Sequence, residues 1–141
     1  MKFRDFFSIK HMLFAVAVLA LFVVFGIIAS NTQVEVTFDT ESVYVDSKRY
    51  SISIPYEMVS EAELQDLPEA GEKIQDAVDD DSIRYGRWTN DAWGEHDIIV
   101  DLDSESCIVC HLTDGRIFVF GAKNDEKTRE TYETLQTYLQ G

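Results

Sequence analysis

From Met12 to Ala29 the chain runs for 18 residues without a charge, Met-Leu-Phe-Ala-Val-Ala-Val-Leu-Ala-Leu-Phe-Val-Val-Phe-Gly-Ile-Ile-Ala. As a helix rising about 1.5 Å per residue, such a run covers roughly 27 Å, near the thickness of a hydrocarbon core. A helix is also the one single-segment structure that satisfies its own backbone in that setting. Lys2, Arg4, Lys10 and His11 precede the run; Asn31, Thr32, Gln33 and Glu35 follow it. Positive flanks stay on the cytoplasmic side. The expectation is a single-pass cell-membrane protein: a basic cytoplasmic tail over 1–11, a transmembrane helix over 12–29, and an extracytoplasmic domain over 30–141. A cleaved signal peptide has a similar outline and would leave the same domain secreted. Ala29-Ser30 offers small residues for a cut, but Ile27 suits the position before it poorly, and the apolar run exceeds the roughly 7–15 residues usual there. No Cys lies near its end to suggest a lipoprotein. Gly26 has only Ser30 at four-residue spacing, a poor helix-dimerisation signal.

Charge divides the chain in the same place. The formal total is -14. Residues 1–11 carry +2, which leaves -16 for residues 31–141. A domain that acidic repels phosphate backbones and anionic lipid surfaces, so no nucleic-acid partner is expected. Acidity of this kind keeps an exposed domain soluble. Regular apolar spacing and many aromatics argue against disorder.

Within the domain the spacing is mostly that of strands. Val34, Val36 and Phe38 alternate with polar residues, and so do Tyr50, Ile52, Ile54, Tyr56 and Met58, with Val43-Tyr44-Val45 between polar turns. Pro55 marks an edge or a bend. Residues 57–67 fit a short helix or a strand equally, and the acidic stretch 68–82 reads as a long surface loop. Further strands are predicted over Asp97–Leu102, Cys107–Leu112 and Arg116–Gly121, the last two joined by a turn at Asp114-Gly115. Asn124 can cap a final amphipathic helix, with Asp125 and Glu126 at its positive end and Tyr132, Leu135 and Leu139 at helical spacing. The sum is six or seven strands and one helix packed on a curved antiparallel sheet.

Arg84-Tyr85-Gly86-Arg87-Trp88, then Ile98-Ile99-Val100, Cys107-Ile108-Val109-Cys110, Thr113-Asp114-Gly115-Arg116-Ile117-Phe118 and the helix from Asn124 resemble the bacterial PH-like (pleckstrin-homology-like) domains of small membrane-anchored proteins. The resemblance covers roughly residues 33–140. It implies a mainly β fold, a PH-like curved antiparallel sheet or barrel capped by a C-terminal α-helix, and an aromatic loop at 84–88. It does not imply phosphoinositide binding, because the first inter-strand loop, Asp39-Thr40-Glu41-Ser42, is acidic and the basic pair Lys48-Arg49 comes one turn later. A fold does not specify an activity.

Candidate chemistry is sparse. Cys107 and Cys110 form a CxxC, but three positions apart on a strand they face opposite sides about 10 Å apart, too far for an unstrained disulfide. They read as small buried residues, with a redox pair as the lesser alternative. His111 faces away from Cys110, and Glu95-His96 is an isolated pair. Asp79-Asp80-Asp81 lacks the ligand spacing of a calcium loop. No nucleophile elbow or phosphate loop is present. No catalytic residue, metal site or cofactor is assigned. Arg84, Tyr85, Arg87, Trp88 and Trp93 are the candidate partner contacts, since Arg and aromatics are enriched in interface hot spots; the alternative is that Trp88 and Trp93 plug the core. The expectation is a non-catalytic, membrane-anchored interaction module that docks a protein partner or itself near the membrane surface. A ligand or cation sensor outside the cytoplasm, and more remotely a CxxC redox protein, are the alternatives.

Overall fold

A computed structural model describes residues 34–141. The alternating segments form a first sheet of three antiparallel strands, β1 (Glu35–Phe38), β2 (Ser42–Asp46) and β3 (Ser51–Pro55). Its inward side carries Val43, Val45, Ile52 and Ile54, while Tyr44, Ser51 and Ser53 face out. The β1–β2 turn closes through Asp39 N–H to Ser42 O (2.9 Å). In the β2–β3 turn Lys48 takes a φ of 74°, and Asp46 Oδ1 accepts from Lys48 N and Ser51 Oγ.

The second sheet has six strands: β4 (Val59–Asp66), β5 (Glu72–Asp79), β6 (Ile83–Asn90), β7 (Gly94–Asp101), β8 (Ser106–Leu112) and β9 (Ile117–Phe120). Their spatial order is β4-β8-β9-β7-β6-β5. The β7–β8 turn leaves a gap one strand wide, and β9 folds back into it. Because β9 is antiparallel to β8, it runs parallel to β7, with Asp97 opposite Phe118 and Ile99 opposite Phe120. The sheet is therefore mixed, where an all-antiparallel one was expected.

Both of its faces are buried, which explains the unbroken apolar runs Ile98–Val100, Cys107–Cys110 and Ile117–Phe120. Tyr85, Ile99, Ile108, Cys110, Phe118 and Phe120 pack toward the first sheet and the helix. Trp88, Ile98, Val100, Cys107, Val109 and Val119 form a second core on the opposite face. That face is covered by the sheet's own curl. Asp66 ends β4 beside Ser106, and Glu72 begins β5 beside Thr89 on the far edge and at the other end. Six Cα steps reach at most about 21 Å, whereas five flat strand spacings span about 24 Å. The link 67–71 thus crosses a strongly coiled face and lays Leu67 and Ala70 on the second core. β4 and β5 share no ladder, so no sheet closes into a barrel; the PH-like barrel is replaced by a three-stranded sheet facing a coiled six-stranded one.

Three local expectations change as well. Residues 57–67 resolve into a 3-10 turn (Tyr56–Met58) and β4. The acidic stretch 68–82 contains a full edge strand, β5, with register shifts at Lys73/Gln75 and Gln75/Val78 and a φ of 52° at Asp76. Bulges and charges on an edge discourage pairing with other chains, and they also hide the strand's period from sequence. Residues 84–88 are strand β6, not a loop.

The predicted C-terminal helix is present as α1 (Asp125–Gln140), capped by Asn124 Oδ1 accepting from Lys127 N at 2.8 Å. Leu135, on its inward face, is fully buried. Tyr138 stacks against both Phe38 and Tyr56, each with ring centroids 5.2 Å apart. At its start, Asp125 Oδ1 accepts from Glu105 N, Ser106 N, Ser106 Oγ and Ser104 Oγ, pinning the β7–β8 turn to the helix. The transmembrane helix expected over 12–29 lies outside the described residues. Among the described residues no helix is long and apolar enough to cross a membrane. The membrane anchor, the membrane as a partner and the single-pass localisation thus find no support in the structure and are withdrawn.

Candidate functional site

Strand alternation divides the predicted contact residues. On β6, Tyr85 and Arg87 point toward the first sheet, while Arg84 and Trp88 point into the second core. Tyr85 (7% exposed) and Trp88 (3% exposed) are buried. Trp88 Nε1 donates to Tyr85 O at 3.0 Å. The Arg84 guanidinium lies 5.9 Å from the centre of the Trp88 ring, and its buried Nε is 3.5 Å from Asp79 Oδ1 without forming a hydrogen bond. Trp93, in the turn before β7, is half-buried at the rim of the second core, edge-on to His96. Of the five, Arg87 alone is exposed.

Arg87 lies in a groove where two clefts on the six-stranded sheet meet, beside Tyr50, which precedes β3. A cleft of about 300 Å³ is lined by Arg87, Glu95, His96, Asp97, Asp114 and Arg116, together with Gly115 and Ile117. A second, of about 230 Å³, is lined by Tyr50, Gln75, Asp76, Arg87 and Asp97. The two share Arg87 and Asp97. Asp97 is buried, and its Oδ1 accepts from Tyr50 Oη at 2.5 Å while Oδ2 faces Arg87 Nη2 at 3.6 Å. Tyr50 stacks on Tyr85 with centroids 5.9 Å apart. Burial first, and then its bond to the Asp97 carboxylate, push the Tyr50 phenol well above its ordinary pKa. Tyr50 therefore remains a hydrogen-bond donor and fixes the Asp97 carboxylate that faces Arg87. Across the cleft, Asp114 accepts twice from Arg116, at Oδ1 from the backbone N–H (3.1 Å) and at Oδ2 from Nε (2.7 Å). The Arg116 guanidinium lies 5.3 Å from the centre of the Phe118 ring.

The other candidates are built into the fold. Cys107 and Cys110 are free thiols, fully buried in opposite cores. Burial pushes each up to about 12, which suppresses the thiolate. His96 is buried, with Nδ1 2.8 Å from Gly94 O; that carbonyl only accepts, so Nδ1 carries the proton. Burial lowers its pKa. Asp80 Oδ1 accepts from Ser82 N, Ser82 Oγ and Ile83 N, closing the β5–β6 hairpin. Among the described residues no group of three or more His, Cys, Asp or Glu is placed to hold a metal ion.

Sequence reasoning missed Tyr50, Asp76, Asp97 and Arg116. Asp97 gave one signal, a carboxylate directly abutting the apolar run Ile98–Val100, where a buried charge needs partners. The groove depends on contacts 47 residues apart, as between Tyr50 and Asp97, which no local spacing encodes. Compared with known proteins, the chain matches no family model, no curated protein and no solved structure.

Proposed function

We propose that this domain is a non-catalytic interaction module that docks a protein partner along the groove formed by the two clefts that share Arg87 and Asp97. The observation that carries this reading is Arg87, half-exposed where the two clefts meet and held against a buried Asp97 that Tyr50 fixes in place. Arginine in a preorganised polar setting is a typical binding hot spot. Kinship with PH-like domains is part of the same proposal, and the groove reading stands without it. The two thiols are committed to cores, and His96, in the cleft wall, is buried with its Nδ1 on Gly94 O.

The test is selection of a displayed random-peptide library on the full-length chain, with neutral, acidic and basic peptides equally represented. Selected peptides should share a consensus and bind at least tenfold more weakly to Arg87→Ala. They should bind normally to Leu64→Ala, which alters the β4 edge. Peptides indifferent to Arg87, or no consensus at all, would sink the reading.

A further inference from the structure

We infer that the cleft between Arg87 and Arg116 is a carboxylate-binding subsite, which takes a single carboxylate group of the docked partner. The inference rests on the interaction reading above and adds the chemistry of what is recognised.

The cleft holds unspent hydrogen-bond donors. It is lined by two arginines, three acidic residues (Glu95, Asp97 and Asp114) and His96, whose Nδ1 is already on Gly94 O. Two of the carboxylates are already occupied. Asp97 is engaged by Tyr50 at one oxygen and faces Arg87 at the other. Asp114 has both oxygens bonded to Arg116. The donors are not used up. Among the described residues the Arg87 guanidinium makes no hydrogen bond, and Arg116 spends only Nε. Each guanidinium carries five N–H donors in a planar fork that matches a carboxylate. Both side chains are close to half exposed, 44% for Arg87 and 49% for Arg116, so a ligand can reach them. Asp114 fixes Arg116 through a hydrogen bond, and the Asp97 carboxylate lies 3.6 Å from Arg87, so both guanidiniums are partly oriented before a ligand arrives. The free capacity of the cleft is therefore mainly for an acceptor, and charged forks prefer a charged one.

The surrounding charge sets the size of that acceptor. A domain carrying -16 disfavours a polyanion. Over the Debye length of about 8 Å at physiological salt, distant repulsion fades, and within the cleft it is the open N–H donors of Arg87 and Arg116, not a net positive charge, that favour one carboxylate. Glu95, at the rim, adds a local penalty against a second negative charge.

The test follows the Arg87 and Arg116 Nε–H resonances of the ¹⁵N-labelled full-length chain. N-acetylglycine supplies a chain-terminal carboxylate and N-acetylglutamate N-methylamide a side-chain carboxylate; N-acetylglutamine N-methylamide is the neutral control, with sodium chloride held constant. At least one carboxylate probe should shift both resonances saturably, and the one that does identifies the source. The doubly substituted Arg87→Gln/Arg116→Gln chain, followed with the wild type at the Asp97 and Ile117 backbone amides, should bind that probe at least tenfold more weakly, with the Trp88 indole signal unchanged as proof of folding. Linear shifts at every arginine, equal shifts from the neutral control, or equal binding by the double variant would overturn the inference. Saturable shifts around Glu95 from butylammonium, with none from the carboxylates, would overturn it in favour of a basic partner. Failure here leaves the peptide selection unaffected, and peptide selection without a consensus leaves this result standing as a small-carboxylate site.

Discussion

Replacing Trp88 with alanine separates a core role from a contact role for the aromatic segment. The side chain is 3% exposed and lies among Ile98, Val100, Cys107, Val109 and Val119. A buried indole removes on the order of 200 Å² from water, worth roughly 5 kcal/mol at about 25 cal/mol/Å². Partial collapse of the cavity offsets some of this, and measured aromatic-to-alanine losses run at about 3–5 kcal/mol. Loss of the Nε1 bond to Tyr85 O contributes about 1 kcal/mol of the total. The expected loss is about 4 kcal/mol for Trp88→Ala, against about 1–2 kcal/mol for Trp88→Phe, which keeps most of the volume. Urea unfolding of the full-length chain measures it. Trp93, the second tryptophan of the sequence, remains as the fluorescent reporter in both variants. A loss below about 1 kcal/mol for Trp88→Ala, with an unchanged denaturant slope, would refute the placement of this ring in a second core.

Other consequences are as direct. At Gly86 (φ +108°) an added Cβ would sit 2.3 Å from Asp76 O and 2.6 Å from Ala77 Cα; Gly86→Ala should cost at least about 2 kcal/mol in urea unfolding, and a neutral result would mean the β5 bulge is not seated there. Cys107 and Cys110 should resist iodoacetamide at pH 8 until the chain is unfolded; rapid labelling of either, read by mass spectrometry, would contradict their burial. Burial lowers the His96 pKa in the fold, so the unfolded chain binds the extra proton first. Its contribution is complete above the unfolded value of about 6.5 and is lost as pH falls from there through the lower folded value. His96→Gln should flatten that part of the stability–pH curve, and an unaltered slope would locate the titration elsewhere.

How far the sequence reached depends on how local each determinant is. The alternation Tyr50–Ile54, the turn at Asp114-Gly115 and the Asn124 cap act within a few residues, and the structure contains each as expected. The runs Ile98–Val100 and Ile117–Phe120 signal burial on two faces, which a one-core barrel does not provide; weighting them would have pointed to a covered, mixed sheet. The position of β9 between β7 and β8 follows from strand order, which no spacing records. β5 escaped notice because two register shifts break its period and acids decorate its edge. Residues 84–88 look like a cluster when read as a loop. As a strand they send Arg87 to the groove and Trp88 to the core, and only the former is positioned to meet a partner from solvent.

The most direct test of the groove as the docking surface is amide chemical-shift mapping of the ¹⁵N-labelled full-length chain with a peptide selected on it. Perturbations should concentrate at Tyr50, Gln75, Asp76, Arg87, Asp97 and Arg116, with the Phe38–Tyr138–Tyr56 stack silent. Perturbations centred on that stack or on the β4 edge, with Arg87 unmoved, would contradict it.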